Sequence, residues 1–411
     1  MRTFIQTGTA LVLILSFALL LNSGCDAEYT EGPADLLPLP NRVAFEMKFL
    51  LDPDKVVDAN GNLLPEIGII FNNALSPYWA APANNAGMNA PAAQRIVTQV
   101  FLDTPNLDFF RAGWINRMRL CTYGGSGSFG AGDMQVTVRR RIPIPSGSNL
   151  TEQMVQKAYT QSIMDGSFSF AATQADSIDE NVEIDWSYDT AVFTMSRSHT
   201  ITGYHANFNH GWYGNLDGAK KLFMDNLPVA AMSQYLNITD RKLGIIPHPS
   251  ATPGLSFVEW YKDNLEKSVL YGPVTIRRWR AQVTMTPAQV KDFFGFEKMT
   301  IAATPAPVGQ RIRLEIEIMP YFDTYVVELS ASGFILWEPV EGIDRVPPAP
   351  FTNNSPPAAD QQFRSFQMVS HLREHLKQVC IDAGVLIPES GFKTSIVLEN
   401  MRQDTGHKFA D

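Results

Sequence analysis

Several segments of this chain have an apolar residue at every second position, which is the pattern of a β-strand with one buried face. The first spans residues 42–49 and the clearest spans 311–318, and in both most of the intervening positions hold charged residues. The same alternation predicts strands at 95–103, 114–123, 134–144, 274–285 and 324–330, and a hairpin formed by 182–187 and 191–196. The chain therefore has enough strands to build a large sheet.

Predicted helices are fewer and lie between or after the strands. Residues 105–112 are predicted to form a short helix with Asp103 and Thr104 as its caps and Gly113 at its end. A second helix, 287–294, follows the cap residue Thr286. The longest helix spans 358–383, and its apolar stripe comprises Phe363, Phe366, Val369, Leu372, Leu376 and Val379. Many strands with a few helices predict an α+β fold.

The first 25 residues have the composition of an export signal. Arg2 supplies a positive start, an apolar run covers 10–21, and Asn22, Ser23 and Gly24 precede Cys25. The apolar run is too short to be a stable membrane-spanning helix. Small residues directly before a cysteine are typical of a bacterial lipoprotein processing site, so we expect Cys25 to be lipidated and to anchor the protein in the cell envelope. The alternative is an ordinary secretory signal followed by an incidental cysteine, and both interpretations place the protein outside the cytoplasm.

The remaining chain divides into three predicted parts. An acidic, Pro-containing tether, 26–41, precedes a strand-rich domain, 42–345, in which residues from about 145 to 271 form a large insertion. A Pro-rich linker and a C-terminal helical segment occupy 346–411. After removal of the signal, Cys121 and Cys380 are the cysteines that could pair in an oxidising compartment, and they could equally remain free.

The charged faces of the predicted strands suggest a function. If the apolar face of each strand packs outwards against helices, the opposite faces line the inside of a closed sheet. Those faces hold Glu46, Lys48, Arg117, Arg119, Arg139, Arg141, Arg278, Arg280, Arg311, Arg313, Glu315, Glu317 and Glu328. Basic residues predominate here, although the whole chain has a formal net charge of -9. Guanidinium groups match phosphate oxygens bidentately, and unpaired buried charges are prohibitive, so the pattern predicts a wet tunnel for a polyanion.

The carboxylates on these faces predict a metal site within the same tunnel. Glu46, Glu315, Glu317 and Glu328 offer the hard oxygen ligands that suit Mg²⁺ or Mn²⁺. Alternating arginine and glutamate can also form cross-strand ion pairs on an open sheet that faces solvent. That alternative predicts no ligand site. The negative net charge argues against a general nucleic-acid binder, so any anion site must be local.

The strands and their spacing resemble the CYTH-like triphosphate tunnel metalloenzymes. The opening segment, Ala44-Phe45-Glu46-Met47-Lys48, is similar to that family's Glu-x-Glu-x-Lys strand, with Ala44 in the first carboxylate position. Residues 101–119 resemble its Asp-Thr turn, helical crossing and Arg-x-Arg strand. Further similar positions are Arg139, Arg141, Arg278, Arg280, Glu315, Glu317 and Glu328. The resemblance covers the regions 42–144 and 274–330.

The resemblance implies an antiparallel β-barrel tunnel of about eight strands. It also implies metal-dependent attack of water on the terminal phosphoryl group of a triphosphate, with the basic residues holding phosphate and Glu46, Glu315, Glu317 and Glu328 holding the metal. Because one expected carboxylate is replaced by Ala44, two hypotheses stay open. The protein binds and hydrolyses a triphosphate or polyphosphate type of anion, or it is a non-catalytic envelope lipoprotein that uses the fold as a binding or structural module.

Overall fold

We analysed a computed structural model of the chain. The structure describes residues 44–75, 88, 90, 92–126, 129–144, 150, 154–158, 178–203, 216–220, 257–285, 310–335, 359–388, 393, 394, 396 and 398. The predicted export signal with Cys25, the tether and the helix at 287–294 lie outside these residues. So do most of the linker and most of the predicted insertion. Within the described part of the chain, no helix combines the length and apolar character needed to cross a membrane.

Nine strands form a closed barrel, which confirms the predicted tunnel fold. The described strands are β1 (Ala44–Leu51), β2 (Arg95–Asp103), β3 (Trp114–Ser126), β4 (Phe129–Gly130), β5 (Met134–Ile144), β6 (Ile178–Trp186), β7 (Ala191–Ile201), β8 (Val269–Met285), β9 (Gln310–Tyr321) and β10 (Thr324–Ile335), and all except β4 belong to the ring. Their order is β2-β8-β9-β10-β1-β6-β7-β5-β3, and pairing of β2 with β3 closes the ring. The short β4 pairs only with β3.

The barrel differs from the prediction in its strand number and in one pairing. Strand β1 runs parallel to β6, whereas the other described pairs are antiparallel. A parallel pair requires a long connection, and here β2 to β5 lie between the two strands in sequence. The hairpin of β6 and β7 falls within the segment assigned to an insertion, 145–271. Since β6 and β7 join β1 to β5, this part of the segment belongs to the barrel wall.

Helices cover the apolar outer face of the barrel. They are α1 (Pro53–Val56), α2 (Pro65–Ala74), α3 (Asp108–Arg111), α4 (Phe257–Lys267) and α5 (Ala359–Asp382). The largest buried cluster joins Met47 and Ile316 of the wall to Phe71 of α2 and Leu376 of α5. Each large apolar side chain buried in this way contributes about 1.5–3 kcal/mol. The wall therefore keeps its apolar residues outside and its charged residues on the other face.

The predicted stripe of α5 is confirmed where the structure describes it. Leu372 and Leu376 are fully buried, and Val379 packs against the same cluster. The side chains of Phe363, Phe366 and Val369 lie outside the description. Gly384, with φ 66, follows the helix as predicted. Cys380 of α5 and Cys121 of β3 are both buried and free.

A capped turn connects β2 to β3 and sets the start of β3. The carboxylate of Asp103 accepts hydrogen bonds from the backbone N–H groups of Thr104, Phe109 and Phe110 at 2.7, 2.9 and 2.8 Å. Asp103 therefore caps the short helix as predicted, although the helix spans only Asp108–Arg111. Gly113 follows with φ 79, and a Cβ there would lie 2.5 Å from the Arg141 carbonyl oxygen. Only glycine allows this close approach of β3 to β5.

Candidate functional site

The charged side chains share the inner face of the barrel, whose interior we call the lumen. Residues that are register partners in neighbouring strands point to the same face. Glu46 pairs with Asp185, Lys48 with Ser330, and Glu315 with Arg280. The field of Glu328 on β10 acts on Arg139 and Arg141 of β5, which stands on the opposite side of the ring. Charges that act across the barrel must face its interior.

The structure brings the predicted phosphate-binding residues together on this face. Register places Lys48, Arg117, Arg119, Arg139, Arg141, Arg278, Arg280 and Arg313 around the lumen. The backbone of Arg311 pairs with Phe334 and Thr284, and its side chain lies outside the description. The alternative of an open sheet facing solvent does not hold, because the sheet closes on itself. Whether these residues bind phosphate stays a prediction.

Arginines of β3 and β5 form a strongly basic surface, the basic wall, which comprises Arg117, Arg119, Arg139 and Arg141. Burial, together with the charges of Arg139 and Arg278, lowers the pKa of Arg117 to about 9. Burial and the charges of Arg117, Arg278 and Arg139 lower the pKa of Arg119 well below its ordinary value. A guanidinium keeps its proton in proteins, so these shifts express the cost of confining like charges.

The hydrogen-bond capacity of the basic wall is only partly used. Nε of Arg117 and of Arg119 is buried and has no hydrogen-bond partner within the residues that the structure describes. Arg119 donates one hydrogen bond from Nη2 to Gln135 Oε1. Neither Arg117 nor Arg119 forms an ion pair in the described part of the chain. An anion in the lumen would therefore find donors that protein groups do not already occupy.

A row of hydroxyl groups lies beside the basic wall and was missed from the sequence. Thr194, Ser196 and Ser198 of β7 are buried and pair with Arg141, Arg139 and Thr137 of β5. The Thr194 hydroxyl donates to Asp185 Oδ2 at 3.2 Å, and the hydroxyls of Ser198 and Thr137 lie 2.9 Å apart. Hydroxyl residues at every second position in 194–198 were the available signal. The row adds neutral polar groups to the same face.

Three carboxylates from β1 and β6 meet next to the basic wall, and we call them the carboxylate cluster. One oxygen from each of Glu46, Glu183 and Asp185 lies within 4.8 Å of the others. Lys48 Nζ lies 2.6 Å from Asp185 Oδ1 and 3.1 Å from Glu46 Oε2. Arg139 Nη2 lies 2.7 Å from Glu183 Oε1. Among the described residues, the contacts given above join three carboxylates to two cations, so the carboxylates outnumber these cations by one.

Position 44 has a specific neighbour in this cluster. The parallel register pairs Ala44 with Glu183 and Glu46 with Asp185. Two carboxylates of β6 therefore stand directly beside the strand in which the resemblance implied a further carboxylate at position 44. Glu183 and Asp185 alternate in the sequence, but nothing in that pattern shows which strand they adjoin.

Electrostatics keep one member of the cluster strongly ionised. Burial opposes ionisation of Asp185, but Lys48, Arg139 and Arg141 outweigh it and lower its pKa to about 2. Burial raises the pKa of Glu183 despite the charge of Arg139. Burial likewise opposes the charge of Lys48, yet Asp185 and Glu46 raise its pKa above its ordinary value. At neutral pH Asp185 is a carboxylate beside a protonated amine.

The other predicted metal ligands lie apart from this cluster and contact basic side chains. Glu315 Oε1 lies 2.5 Å from Arg280 Nε, and Glu315 Oε2 lies 3.5 Å from Arg278 Nη1. These cations outweigh burial and lower the pKa of Glu315 to about 2. Glu317 contacts Arg278 and Lys393. The predicted set of Glu46, Glu315, Glu317 and Glu328 is thus divided between two groups, since register separates β1 from β9.

Lys393 is a lumen residue that the sequence did not indicate. Its Nζ lies 2.7 Å from Glu328 Oε1, and its backbone N–H donates to Glu328 Oε2 at 3.3 Å. Burial lowers the pKa of Lys393, and the charges of Lys48 and Arg278 add to this. Burial raises the pKa of Glu328 to about 7. Residue 393 follows the predicted C-terminal helix and has no periodic pattern around it, so no sequence signal pointed inwards.

An apolar cluster fills one end of the lumen. Leu50, Ile115, Met319 and Val326 lie two positions from Lys48, Arg117, Glu317 and Glu328 on the same strand faces. These apolar residues are buried together with Phe101, Val274, Ile276 and Leu398. The charged part of the lumen therefore has an apolar floor, to which Leu398 of the C-terminal segment contributes.

Comparison with known proteins finds distant structural similarity. No family model and no curated protein matches the sequence. A putative adenylyl cyclase from Hippeastrum, described as having a dominant triphosphatase activity, matches with a TM-score of 0.33 and 8% identity over 86% of this chain and 95% of that one. A putative adenylate cyclase from Bacillus halodurans matches with a TM-score of 0.30 and 9% identity over 86% of this chain and 97% of that one. The function of this chain therefore has to be argued from its own residues.

Proposed function

We propose that this protein binds a phosphate-rich anion, of the triphosphate or polyphosphate type, in the lumen of its barrel. The observation that carries the proposal is the pair Arg117 and Arg119, which lie half-buried beside other arginines and whose buried Nε donors have no hydrogen-bond partner among the described residues. Such confinement of like charges is costly in the absence of a counterion. An anion that meets both guanidinium groups removes that cost and gains charge-assisted hydrogen bonds.

A phosphate chain suits this surface better than a single carboxylate. The basic wall offers the guanidinium groups of Arg117 and Arg119 on β3, each of which matches two phosphate oxygens, and Arg139 and Arg141 on neighbouring β5 add positive charge. The Ser196 hydroxyl lies next to this wall and can donate to a further oxygen. Several linked phosphoryl groups can use both sets of donors at once.

We propose a divalent cation, Mg²⁺ or Mn²⁺, as the partner of the anion at the carboxylate cluster. The donors fit, because Glu46, Glu183 and Asp185 supply hard oxygen atoms within 4.8 Å of one another. The cluster is net negative even with Lys48 and Arg139 in contact, so it attracts a dication. Once the dication is bound, the net charge of the site is positive. Such an ion, when bound, neutralises charge on phosphate oxygens and polarises the phosphoryl group.

Binding and hydrolysis are separate parts of this hypothesis. Ala44 favours a non-catalytic binding or structural module, because the expected strand carboxylate is absent there. Glu183, the register partner of position 44, favours a metal site that is still complete. Phosphoryl transfer depends mainly on positioning and charge stabilisation, so the metal site decides between the two outcomes.

Thermal-shift and phosphate-release assays with inorganic triphosphate test the proposal. We expect triphosphate to raise the melting temperature in the presence of Mg²⁺ or Mn²⁺, and we expect the double change Arg117→Ala and Arg119→Ala to abolish that rise. Stabilisation with release of phosphate identifies a triphosphatase, and stabilisation without release identifies a binding protein. If triphosphate neither stabilises the protein nor is hydrolysed, the proposal is wrong.

We also propose that the protein is exported and anchored to the bacterial cell envelope through Cys25. Support comes from the sequence, in which Arg2, the apolar run and Ser23-Gly24 precede that cysteine. Nucleoside triphosphates are scarce outside the cytoplasm, so polyphosphate or a phosphorylated envelope component is the expected ligand there. Mass spectrometry of the N-terminal peptide from membranes tests this, and a mature chain that retains residues 1–24 would contradict it.

A further inference from the structure

The amine of Lys393 contacts two carboxylates that face one another on neighbouring strands. Glu317 and Glu328 are register partners on β9 and β10. Like charges placed directly opposite destabilise a sheet, and burial increases that cost. Lys393 Nζ contacts both carboxylates, and only 14% of the Lys393 side chain is exposed. The lysine therefore supplies the positive charge that this pair requires.

The position of Lys393 is fixed by its own segment. Leu398 is 1% exposed and packs in the apolar floor with Phe101, Met319 and Val326. Ile396 packs against the same cluster. The backbone N–H of Lys393 also bonds to Glu328. The backbone hydrogen bond of Lys393 and the packing of the residues that follow it thus hold the amine in the lumen.

The two groups of carboxylates differ in how their charges are balanced. Glu315 and Glu317 already contact Arg278, and Glu315 also contacts Arg280. Arg313 Nε also lies 3.9 Å from Glu315 Oε1, so with Lys393 bound the group on β9 and β10 has four contacting cations for three carboxylates among the described residues. The carboxylate cluster on β1 and β6 keeps one more negative group than contacting cations. A divalent ion is therefore attracted to the second site and not to the first.

We propose that Lys393 is the resident cation of the Glu317–Glu328 pair and limits the lumen to one divalent metal ion. The proposal rests on the proposed function for the ion at the carboxylate cluster. Lys393 thereby determines metal stoichiometry, and it leaves the positive charge of the basic wall available for the anion. Lys393 Nζ contacts an oxygen of Glu317 and an oxygen of Glu328. It does so whether the proton stays on Nζ or is shared with Glu328. Removing the amine frees Glu317 Oε2 and Glu328 Oε1, while Glu317 Oε1 keeps its contact with Arg278. The two freed oxygens belong to facing carboxylates and together can hold a dication.

Counting Mn²⁺ per chain by electron paramagnetic resonance of the free ion tests this inference. We expect one Mn²⁺ in the wild type, two in Lys393→Met, and one in Lys393→Arg, which keeps the charge. Lys267→Met is the matched control, because Lys267 also contacts a carboxylate but lies exposed on α4. The Lys267→Met variant should bind one Mn²⁺, as the wild type does. The double variant Glu328→Gln with Lys393→Met should return to one.

Several outcomes would overturn the inference. A folded Lys393→Met variant with the wild-type number of ions contradicts it, as does an additional ion that persists when Glu328→Gln is added. Folding is checked by circular dichroism, and Lys393→Gln replaces the methionine variant if that one does not fold. If the wild type binds no Mn²⁺ and Lys393→Met binds one, the inference stands and the proposed metal site fails. If both bind one, the proposed site stands and the inference fails.

Discussion

Changing Arg117 to methionine should stabilise the protein without ligand and weaken its binding of triphosphate. Methionine keeps an unbranched apolar side chain but removes the charge that Arg139 and Arg278 repel. Binding sites characteristically contain residues that lower the stability of the protein when no ligand is bound. The two effects have opposite signs, and this distinguishes a ligand-binding arginine from one that holds the barrel together.

The size of the effect follows from the pKa shift. Burial, together with the neighbouring arginines, lowers the pKa of Arg117 from its ordinary value to about 9, and one pKa unit corresponds to about 1.4 kcal/mol of differential interaction. The upper bound is therefore about 5 kcal/mol of added stability. Arg117 is partly accessible from the lumen, and water there screens the repulsion. We expect a gain of about 1–3 kcal/mol in the free energy of unfolding, with at least about a tenfold loss in affinity for triphosphate.

Urea denaturation measures the first quantity and calorimetric titration with triphosphate the second. Urea is preferable to guanidinium chloride, whose ions would screen the charges under test. Arg140→Met serves as the control, since Arg140 faces outwards, lies over Trp114 and donates to the Ala112 carbonyl oxygen. It should lower stability and leave triphosphate binding unchanged. An Arg117→Met variant that is less stable than the wild type, or that binds triphosphate equally well, refutes the reasoning.

Three further changes have defined outcomes. The pKa of Glu328 is raised from 4.5 to about 7, so its contribution to stability is present below about pH 4.5 and lost as pH rises through 7. In urea titrations we therefore compare the free energy of unfolding at pH 4.5 with that at pH 8, and Glu328→Gln should reduce this difference by up to about 3 kcal/mol. If the difference is the same in the variant and the wild type, the raised pKa of Glu328 is contradicted. Glu183→Gln should weaken Mn²⁺ binding at least about tenfold, and adding Ala44→Glu should restore it, because the two positions are register partners; no rescue in the titration would show that they are not equivalent. Arg373→Met should cost about 2–4 kcal/mol in urea titrations, because its guanidinium donates to the Ser187 and Tyr188 carbonyl oxygens; a smaller loss than for Lys377→Met, at the next turn of α5, contradicts this.

The faces of the strands could be predicted from the sequence because alternation is a local property. Glu46, Arg117, Arg139 and Glu315 all lie on the predicted side of their strands. A period of two decides the face of each residue whatever its neighbours are. The turn at Asp103 was predictable for the same reason, since capping involves residues close in sequence.

The neighbours of each strand could not be predicted in this way. The hairpin of β6 and β7 was identified, but its place beside β1 depends on a parallel pairing between strands more than 100 residues apart. That pairing brings Glu183 and Asp185 to Glu46 and places Glu315 and Glu317 elsewhere. Lys393 enters the lumen because Leu398 packs in its apolar floor, which is a tertiary contact. The metal ligands were therefore the part of the site least accessible from the sequence.

Calorimetric titration of the wild type and of the double variant Arg117→Met with Arg119→Met tests the central claim most directly. Linear triphosphate is titrated in the presence of Mg²⁺ at low and at high salt concentration. We predict one triphosphate per chain for the wild type, with an affinity that falls as salt rises, because charges dominate the contact. In the double variant the affinity should fall at least about 100-fold, since two charge-assisted contacts are lost. Absence of binding by the wild type, or equal binding by the double variant, would contradict an anion site in the lumen.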